Sequence, residues 1–130
     1  MPPATRMQPG LIGKARLVVT AQHTAKAFGS GTVDVFASPM MVALMEAAAV
    51  DCIAAHLAPG EISLGTHLDV AHRRASPIGA SIEASAELIA IDGRILTFRV
   101  EAKDGAGLIG DGRHTRALVE ETRFMAKLTQ

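Results

Sequence analysis

Two histidines five positions apart, His67 and His72, stand in the stretch GTHLDVAHRRASPIG at residues 65–79. The stretch is typical of a β-strand, in which successive side chains point to opposite faces. An odd separation therefore predicts that His72 faces inward and His67 outward. An inward histidine is either a hydrogen-bonded core residue or an acid–base group. A metal site is disfavoured, because His67-x-Asp69 lacks a matched second cluster of ligands.

A single carboxylate interrupts the most apolar segment of the chain. From Pro39 to Val50 the only charged side chain is Glu46, and its neighbours are apolar around the whole helical circumference. Charged groups are seldom fully buried without a partner. Glu46 therefore either lies on a narrow exposed stripe or is held in a dry cleft, where it could act as a base or a nucleophile.

Ser38 opens the same helix and is followed by Pro39. Serine is favoured as an N-cap, and proline at the first helical position. Eight residues advance a helix by about 12 Å, so Ser38 and Glu46 cannot hydrogen-bond directly. The stretch ASPMM also lacks the G-x-S-x-G turn of α/β-hydrolases. Ser38 is either only a cap or a hydroxyl that polarises a substrate carbonyl at the helix N-terminus.

Further polar candidates lie near strand ends. Gly65 is either a strand-entry residue or a point where the backbone approaches a ligand closely. His114 and Arg116 are two residues apart and are expected to share a strand face. The basic side chains here are expected to be solvated, with phosphate binding as the functional alternative; they are Arg73, Arg74, Arg113, His114 and Arg116. Cys52 is expected in the core.

The elements that must position these residues follow from periodicity and turn signals. A first strand is predicted over 14–26, a helix from Ser38 to about residue 57, and four strands over 61–74, 80–91, 94–103 and 107–121. Asp92-Gly93 is a hairpin turn signal. The order predicts an α+β fold, in which a curved antiparallel sheet of about five strands wraps one long central helix. Residues 1–130 are expected to form a single domain with a flexible arm over 1–13.

Composition excludes several classes of protein. The 130 residues are 48% hydrophobic and 20% charged, with 13 acidic and 13 basic side chains, so neither disorder nor a strong nucleic-acid or membrane field is expected. Four Phe without Trp or Tyr argue against a base-stacking surface. One cysteine excludes an internal disulfide and fits the cytoplasm. The opening MPPATRMQPG lacks the apolar core of a signal peptide, and no run is expected to be long and uncharged enough to span a bilayer.

Five stretches together resemble the fluoroacetyl-CoA thioesterase-like family of hotdog-fold proteins, from about residue 34 to 127. They are VFASPMMVALMEAA, GEISLGTHLDVAH, ASPIGASIEASAEL, DGRILTFRVEAKD and LIGDGRHTRALV…RFMAKL. The resemblance implies a hotdog fold and a homodimer with active sites at the subunit interface. It also implies hydrolysis of an acyl-CoA thioester without a metal or redox cofactor, coenzyme A being part of the substrate.

The resemblance assigns roles to five residues. The catalytic hydroxyl of the family, usually a threonine, falls on Ser38, the helix carboxylate on Glu46 and the catalytic histidine on His72. The glycine that contacts the substrate falls on Gly65, and the substrate-side arginine on Arg116. Serine keeps the hydroxyl but lacks the methyl group that stiffens a threonine rotamer. Whether Glu46 activates water or attacks the thioester itself is left open.

Phe36 is the remaining expected substrate contact. The segment before it, AKAFGSGTVDV, is short and glycine-rich, whereas the fluoroacetate-specific member of the family carries an aromatic-bearing lid there. Since only Phe28 and Phe36 are available, a relaxed acyl preference is expected rather than fluoroacetyl specificity.

Two alternative functions stay open: an enoyl-CoA hydratase, which would also use an acid–histidine pair, and a non-catalytic acyl-CoA binding module.

Overall fold

One long helix lies against a five-stranded antiparallel sheet in the computed structural model, which describes residues 2–129. The elements in chain order are α1 (Pro3–Arg6), β1 (Ile12–Val18), α2 (Ala25–Phe28), α3 (Ser38–Ile53), β2 (Glu61–His72), β3 (Ser81–Asp92), β4 (Ile95–Asp104), β5 (Gly107–Glu120) and α4 (Glu121–Leu128). The strand order is β1-β3-β4-β5-β2. The predicted α+β architecture, a curved sheet around a central helix, is confirmed.

The core lies between α3 and the inward face of the sheet. Alternate residues of β3 and β4 are buried there, as their period-two pattern predicts: Ile82, Ala84, Ala86, Leu88, Leu96, Phe98, Val100 and Ala102. The small alanines allow the helix to approach β3 closely. On β1, Gly13 has the same effect, because a Cβ there would overlap the α3 backbone at Ala48 and Cys52. Cys52 lies in the core, as expected.

A register shift in β2 changes which residues face the helix. Gly65 pairs with Arg116 and His67 with Thr115, so Thr66 is one extra residue. Such a bulge moves the inward-facing positions from one parity to the other. Gly65 lies before it and faces α3, and His72 lies after it and also faces α3. The prediction that His67 and His72 lie on opposite faces is confirmed.

Side-chain caps end β1 earlier than predicted. The strand covers Ile12–Val18, because Thr20 and Thr24 each accept a hydrogen bond from a backbone N–H two or three residues later. These bonds start a 3₁₀ turn at Ala21–His23 and then α2. At the other end of the chain, α4 was not predicted. The Glu120 carboxylate accepts from the Arg123 N–H at 2.7 Å and caps that helix.

The N-terminal segment is packed on the domain, so the expectation of a flexible arm over 1–13 is wrong for its described residues. Pro3 and Met7 are buried. Arg6 donates to both carboxylate oxygens of Glu61 at the start of β2, at 2.8 and 3.1 Å. The arm is therefore attached by an apolar contact and by an ion pair.

The central helix is more apolar than expected, and one stripe of it is uncovered within one chain. Ser38–His56 is long and apolar enough to cross a membrane by length and composition alone, contrary to the sequence expectation. Its buried residues, among them Met41, Met45 and Ala49, pack within the domain core. The opposite stripe, with Ala43 and Ala47, is exposed within one chain.

Candidate active site

The start of α3 and the end of β2 bring Ser38 and His72 together. Ala37 is the N-cap and Ser38 the first helical residue, with no capping bond from its side chain. The expectation that Ser38 caps the helix is therefore wrong. Its Oγ instead lies 2.7 Å from His72 Nδ1. A hydroxyl and an imidazole at this distance can exchange a proton, and such a hydrogen bond can activate the serine hydroxyl or the histidine ring for catalysis.

The His72 ring has one satisfied nitrogen and one without a partner. Its Nε2 is buried and has no hydrogen-bond partner among residues 2–129. Burial lowers the pKa of His72, against a smaller opposing effect from the backbone at Arg74. Phe36 stands edge-on to the ring, with centroids 6.4 Å apart. The ring is therefore neutral near pH 7, and its Nε2 is available to a group from outside the chain.

A cavity of about 260 Å³ adjoins the Ser38–His72 pair. Phe36 forms part of its wall and is itself only 1% exposed. The lining residues are Ala25, Ser30, Val35, Phe36, Ser38, His72, Arg73, Arg74 and Ala75. Arg73 and Arg74 are exposed and paired with Asp111 and Asp104 respectively. The wall thus combines four apolar residues with two hydroxyls, one imidazole and two arginines.

Glu46 lies in a second cluster farther along α3. Its Oε2 is 3.3 Å from Arg116 Nη1 and 3.9 Å from His114 Nε2. The side chain is 35% exposed within one chain. The Glu46 carboxylate therefore neither points freely into solvent nor lies in a dry cleft. It contacts the buried guanidinium of Arg116.

Arg116 and His114 are internal, and the expectation that they are solvated surface charges is wrong. His114 is 0% and Arg116 6% exposed. Arg116 donates from Nε to Ser63 Oγ at 2.8 Å and from Nη2 to the Ser63 carbonyl at 3.0 Å. The predicted common strand face of His114 and Arg116 is confirmed, and that spacing is the signal by which His114 could have been found as a site residue. Ser63 carried no readable signal in the sequence.

Gly65 is the close-packed residue of this cluster. A Cβ at this position would lie 2.7 Å from Glu46 Oε2, 3.0 Å from His114 Cε1 and 3.4 Å from Arg116 Nη1. The first distance is shorter than real Cβ contacts allow. The absence of a side chain at Gly65 is therefore what lets the Glu46 carboxylate sit beside strand β2.

The site residues thus form two groups within one chain. Ser38 is joined to His72, and Glu46 to Gly65 and Arg116, but no contact between Glu46 and His72 is found in the described part of the chain. Ser38 and Glu46 are separated by about 12 Å of helix. No three His, Cys, Asp or Glu side chains among residues 2–129 converge into a set that could hold a metal ion.

Comparisons with known proteins agree on one family. The pattern of the fluoroacetyl-CoA-specific thioesterase family, FlK, matches residues 19–122. A fluoroacetyl-CoA thioesterase from Streptantibioticus cattleyicolor is 46% identical over 97 residues, which are 75% of this chain and 70% of that protein. A solved structure of the fluoroacetyl-CoA thioesterase FlK superposes with a TM-score of 0.90 at 38% identity, over 95% of this chain and 96% of the other.

More distant structures share the architecture. A thioesterase superfamily member from Thermus thermophilus has a TM-score of 0.87 at 27% identity, over 94% of this chain and 90% of its own. A hot-dog-like protein from Thermanaerovibrio acidaminovorans has the same TM-score at 15% identity, over 96% and 93%, which shows the fold alone. The chain belongs to the fluoroacetyl-CoA-specific thioesterase (FlK) family and has the hotdog fold.

Proposed function

We propose that this protein is an acyl-CoA thioesterase that hydrolyses an acyl-CoA thioester to the carboxylate and free coenzyme A. Family membership supports the reaction class. The observation that carries the proposal is the pairing of Ser38 with His72 beside a cavity, on a chain that also holds Glu46 against Arg116 next to a side-chain-free Gly65.

The residues can supply each step of thioester cleavage. Glu46 either removes a proton from water as the water attacks the carbonyl carbon, or attacks that carbon and forms an anhydride that water then opens. In both routes the C–S bond breaks and coenzyme A leaves as the thiolate, which accepts a hydrogen bond from the N–H of the neutral His72 ring and takes its proton from solvent. Ser38 and the Gly65 N–H stabilise the negative charge on the carbonyl oxygen.

We propose that the working unit is a homodimer in which two chains complete each site. The two groups of site residues lie too far apart along α3 to act on one carbonyl within a chain. Strand β2 is an edge of the sheet. Residues 65–69 on it are exposed, including Leu68 at 42%. An unpaired edge with an exposed apolar side chain is suited to pairing with a second strand.

A two-fold pairing of β2 strands would join the two groups. If the axis passes through Asp69, antiparallel pairing sets Leu68 opposite the partner subunit's Val70, and His72 opposite the partner subunit's Gly65–Thr66 bulge. The Ser38–His72 pair would then face the partner's Glu46. The buried Nε2 of His72, which has no partner within the described chain, would gain a polar neighbour in this arrangement.

Mixing two inactive variants tests the shared site. A heterodimer of His72→Ala and Glu46→Gln protomers contains one site with both changes and one with neither, if each site draws Glu46 and His72 from different chains. Random pairing then restores about a quarter of wild-type activity. Two sites each confined to one chain would each carry one change, and the mixture would stay inactive. That result would contradict the shared site while leaving the hydrolase function intact.

A thiol-release assay on short, medium and aromatic acyl-CoAs tests the reaction itself. We expect Glu46→Gln and His72→Ala each to lower thiol release by at least about 100-fold. Glu101→Gln, an exposed acid on β4, is the matched control and should behave as wild type. Water addition with the thioester intact would instead identify a hydratase. Binding without turnover would identify a binding module.

We propose a relaxed acyl preference, without fluoroacetyl specificity. Phe28 is 47% exposed on α2 and is not among the residues that line the cavity, and Phe36 is buried in its wall, so neither ring covers the Ser38–His72 pair. Discrimination by apolar pocket size alone amounts to about 1–3 kcal/mol per methylene. Comparable kcat/KM values for acetyl-CoA and fluoroacetyl-CoA would support this, and a preference above about 1,000-fold would contradict it.

We also propose that the enzyme works in the cytoplasm without a cofactor. The supporting observations are the single free thiol, Cys52, which is buried, and a reaction that side chains alone can carry out. Burial raises the pKa of that thiol, which suits a structural rather than a reactive cysteine.

A further inference from the structure

We propose that His114 is a positioning residue, whose buried neutral ring holds the Arg116 guanidinium against Glu46 by accepting a hydrogen bond from it. The inference rests on the proposed function, because Glu46 is the group being positioned. It concerns a residue for which the family resemblance assigned no role.

The hydrogen bonds of the ring define its protonation state. His114 Nδ1 lies 2.8 Å from the His67 carbonyl oxygen, which can only accept. Nδ1 must therefore carry a hydrogen. His114 Nε2 lies 3.0 Å from Arg116 Nη1, which can only donate. Nε2 must therefore be the unprotonated nitrogen, so the ring is the neutral Nδ1–H tautomer.

The surroundings keep the ring in that state. His114 is 0% exposed and packs beside Phe98. Burial lowers the pKa of His114; the His67 carbonyl opposes this, the Arg116 charge adds to it, and the Glu46 charge opposes it. A second proton, on Nε2, would point one N–H donor at another on the guanidinium. Two charged groups contact the ring: Arg116 on its own strand and Glu46 on α3.

The bond matters because Arg116 Nη1 has two hydrogens and two acceptors. One acceptor is His114 Nε2 at 3.0 Å and the other is Glu46 Oε2 at 3.3 Å. Ser63 accepts from Nε and from one hydrogen of Nη2. Fixing one Nη1 hydrogen on His114 directs the other at the carboxylate. Without the ring nitrogen, Nη1 loses the acceptor that sets its orientation, and Glu46 loses a fixed cation.

Two substitutions separate the two halves of the ring's role. His114→Asn keeps a donor near the δ position but offers no acceptor at ε, whereas His114→Gln offers an acceptor at ε. We expect His114→Asn to lower kcat about 10-fold or more with KM changed less than 3-fold, and His114→Gln to stay within about 3-fold of wild type. A ring that only fills space would be replaced equally badly by both residues.

A double-mutant cycle tests whether the effect passes through Arg116. In an Arg116→Met background, His114→Asn should have almost no further effect on kcat, because the group it positions is gone. Additive losses in the double variant would overturn the proposal. So would equal losses in the Asn and Gln variants of an active enzyme.

A measurement on the wild type is independent of folding of the variants and of the reaction. The ¹⁵N shifts of the His114 ring at pH 7 should show Nδ1 protonated and Nε2 unprotonated. An Nε2–H tautomer or a doubly protonated ring would overturn the proposal, even if the enzyme hydrolyses acyl-CoA. If the wild type releases no thiol from any acyl-CoA, the proposed function is wrong. The assignment of the ring tautomer is tested separately, by these ¹⁵N shifts.

Discussion

Replacing Gly65 by alanine should lower activity far more than stability. The new Cβ would lie 2.7 Å from Glu46 Oε2, against about 3.4 Å for an ordinary contact. The His114 ring, whose Cε1 would lie 3.0 Å from the new Cβ, must give by a few tenths of an ångström, and hydrogen bonds at both nitrogens limit it to that. The Glu46 carboxylate must therefore move away by about 0.7 Å.

The size of the effect follows from that displacement. A misplacement near 1 Å costs up to about 100-fold in rate, so we expect kcat to fall by about 10- to 100-fold, or roughly 1.4–2.7 kcal/mol in barrier height. The clash falls on the end of a flexible side chain, and alanine reduces the entropy of the unfolded chain. The free energy of unfolding should change by less than about 1 kcal/mol, which is about 4 °C or less in Tm.

Thiol release and thermal unfolding, measured on the same preparation, separate the two effects. Gly105→Ala is the matched control, because a Cβ there meets nothing within 4 Å and its φ is not positive. It should leave both kcat and Tm unchanged. A Gly65→Ala enzyme with wild-type kcat and Tm would refute the view that the missing side chain makes room for Glu46.

Two further predictions concern pH. Burial tends to raise the pKa of Glu61, but hydrogen bonds from Arg6 and from the Ala58 N–H, with the charges of Arg6 and Arg94, lower it overall. The stability that the Glu61 carboxylate contributes is present above its pKa in the unfolded chain, near 4.5, and is lost as pH falls through its pKa in the folded protein. The difference in Tm between wild type and Glu61→Gln should therefore shrink toward pH 3. A difference that stays constant with pH would argue against the ion pair. Burial lowers the pKa of His72 within one chain, so its Cε1 proton resonance should titrate with a midpoint below 6.5. Because charging the buried ring disfavours the fold, its protonation should cost stability as pH falls. A midpoint above 6.5 would show that a carboxylate, such as the partner's Glu46 in the proposed dimer, outweighs burial.

The long elements of this fold were predictable because their patterns agree with their packing. In β3 and β4 the alternation of apolar and polar residues continues along the strand, and the structure buries the apolar set. Thr20 and Thr24 ended β1 early through capping bonds that a β-propensity pattern does not reveal. The N-terminal arm was misjudged for a related reason: a few polar residues with prolines suggested a loose segment, whereas Met7 enters the core and Arg6 pairs with Glu61.

The sequence proposed the residues of the candidate site, but it did not predict the contacts between them. Glu46 stood out as the lone charge of an apolar helix. Its partner is Arg116 rather than His72 within the chain, because the two ends of an eight-residue helical step lie about 12 Å apart. Arg116 and His114 are buried among residues of β2 and α3, namely Ser63, Gly65 and Glu46, which no local pattern in β5 reveals.

Thr66 shows why the geometry of β2 needed a structure. Strict alternation puts residues 65 and 72 on opposite faces, as it does residues 67 and 72. The one extra residue at Thr66 changes the parity, so Gly65 and His72 both face α3 while His67 does not. The Gly65 position beside Glu46 and the His72 position beside Ser38 thus share one face of one edge strand. In the proposed dimer, an antiparallel copy of that strand would bring the partner's Gly65 to His72, so the proposed two-chain site requires the bulge. Deleting Thr66 would turn either the Gly65 half or the His72 half away from the helix.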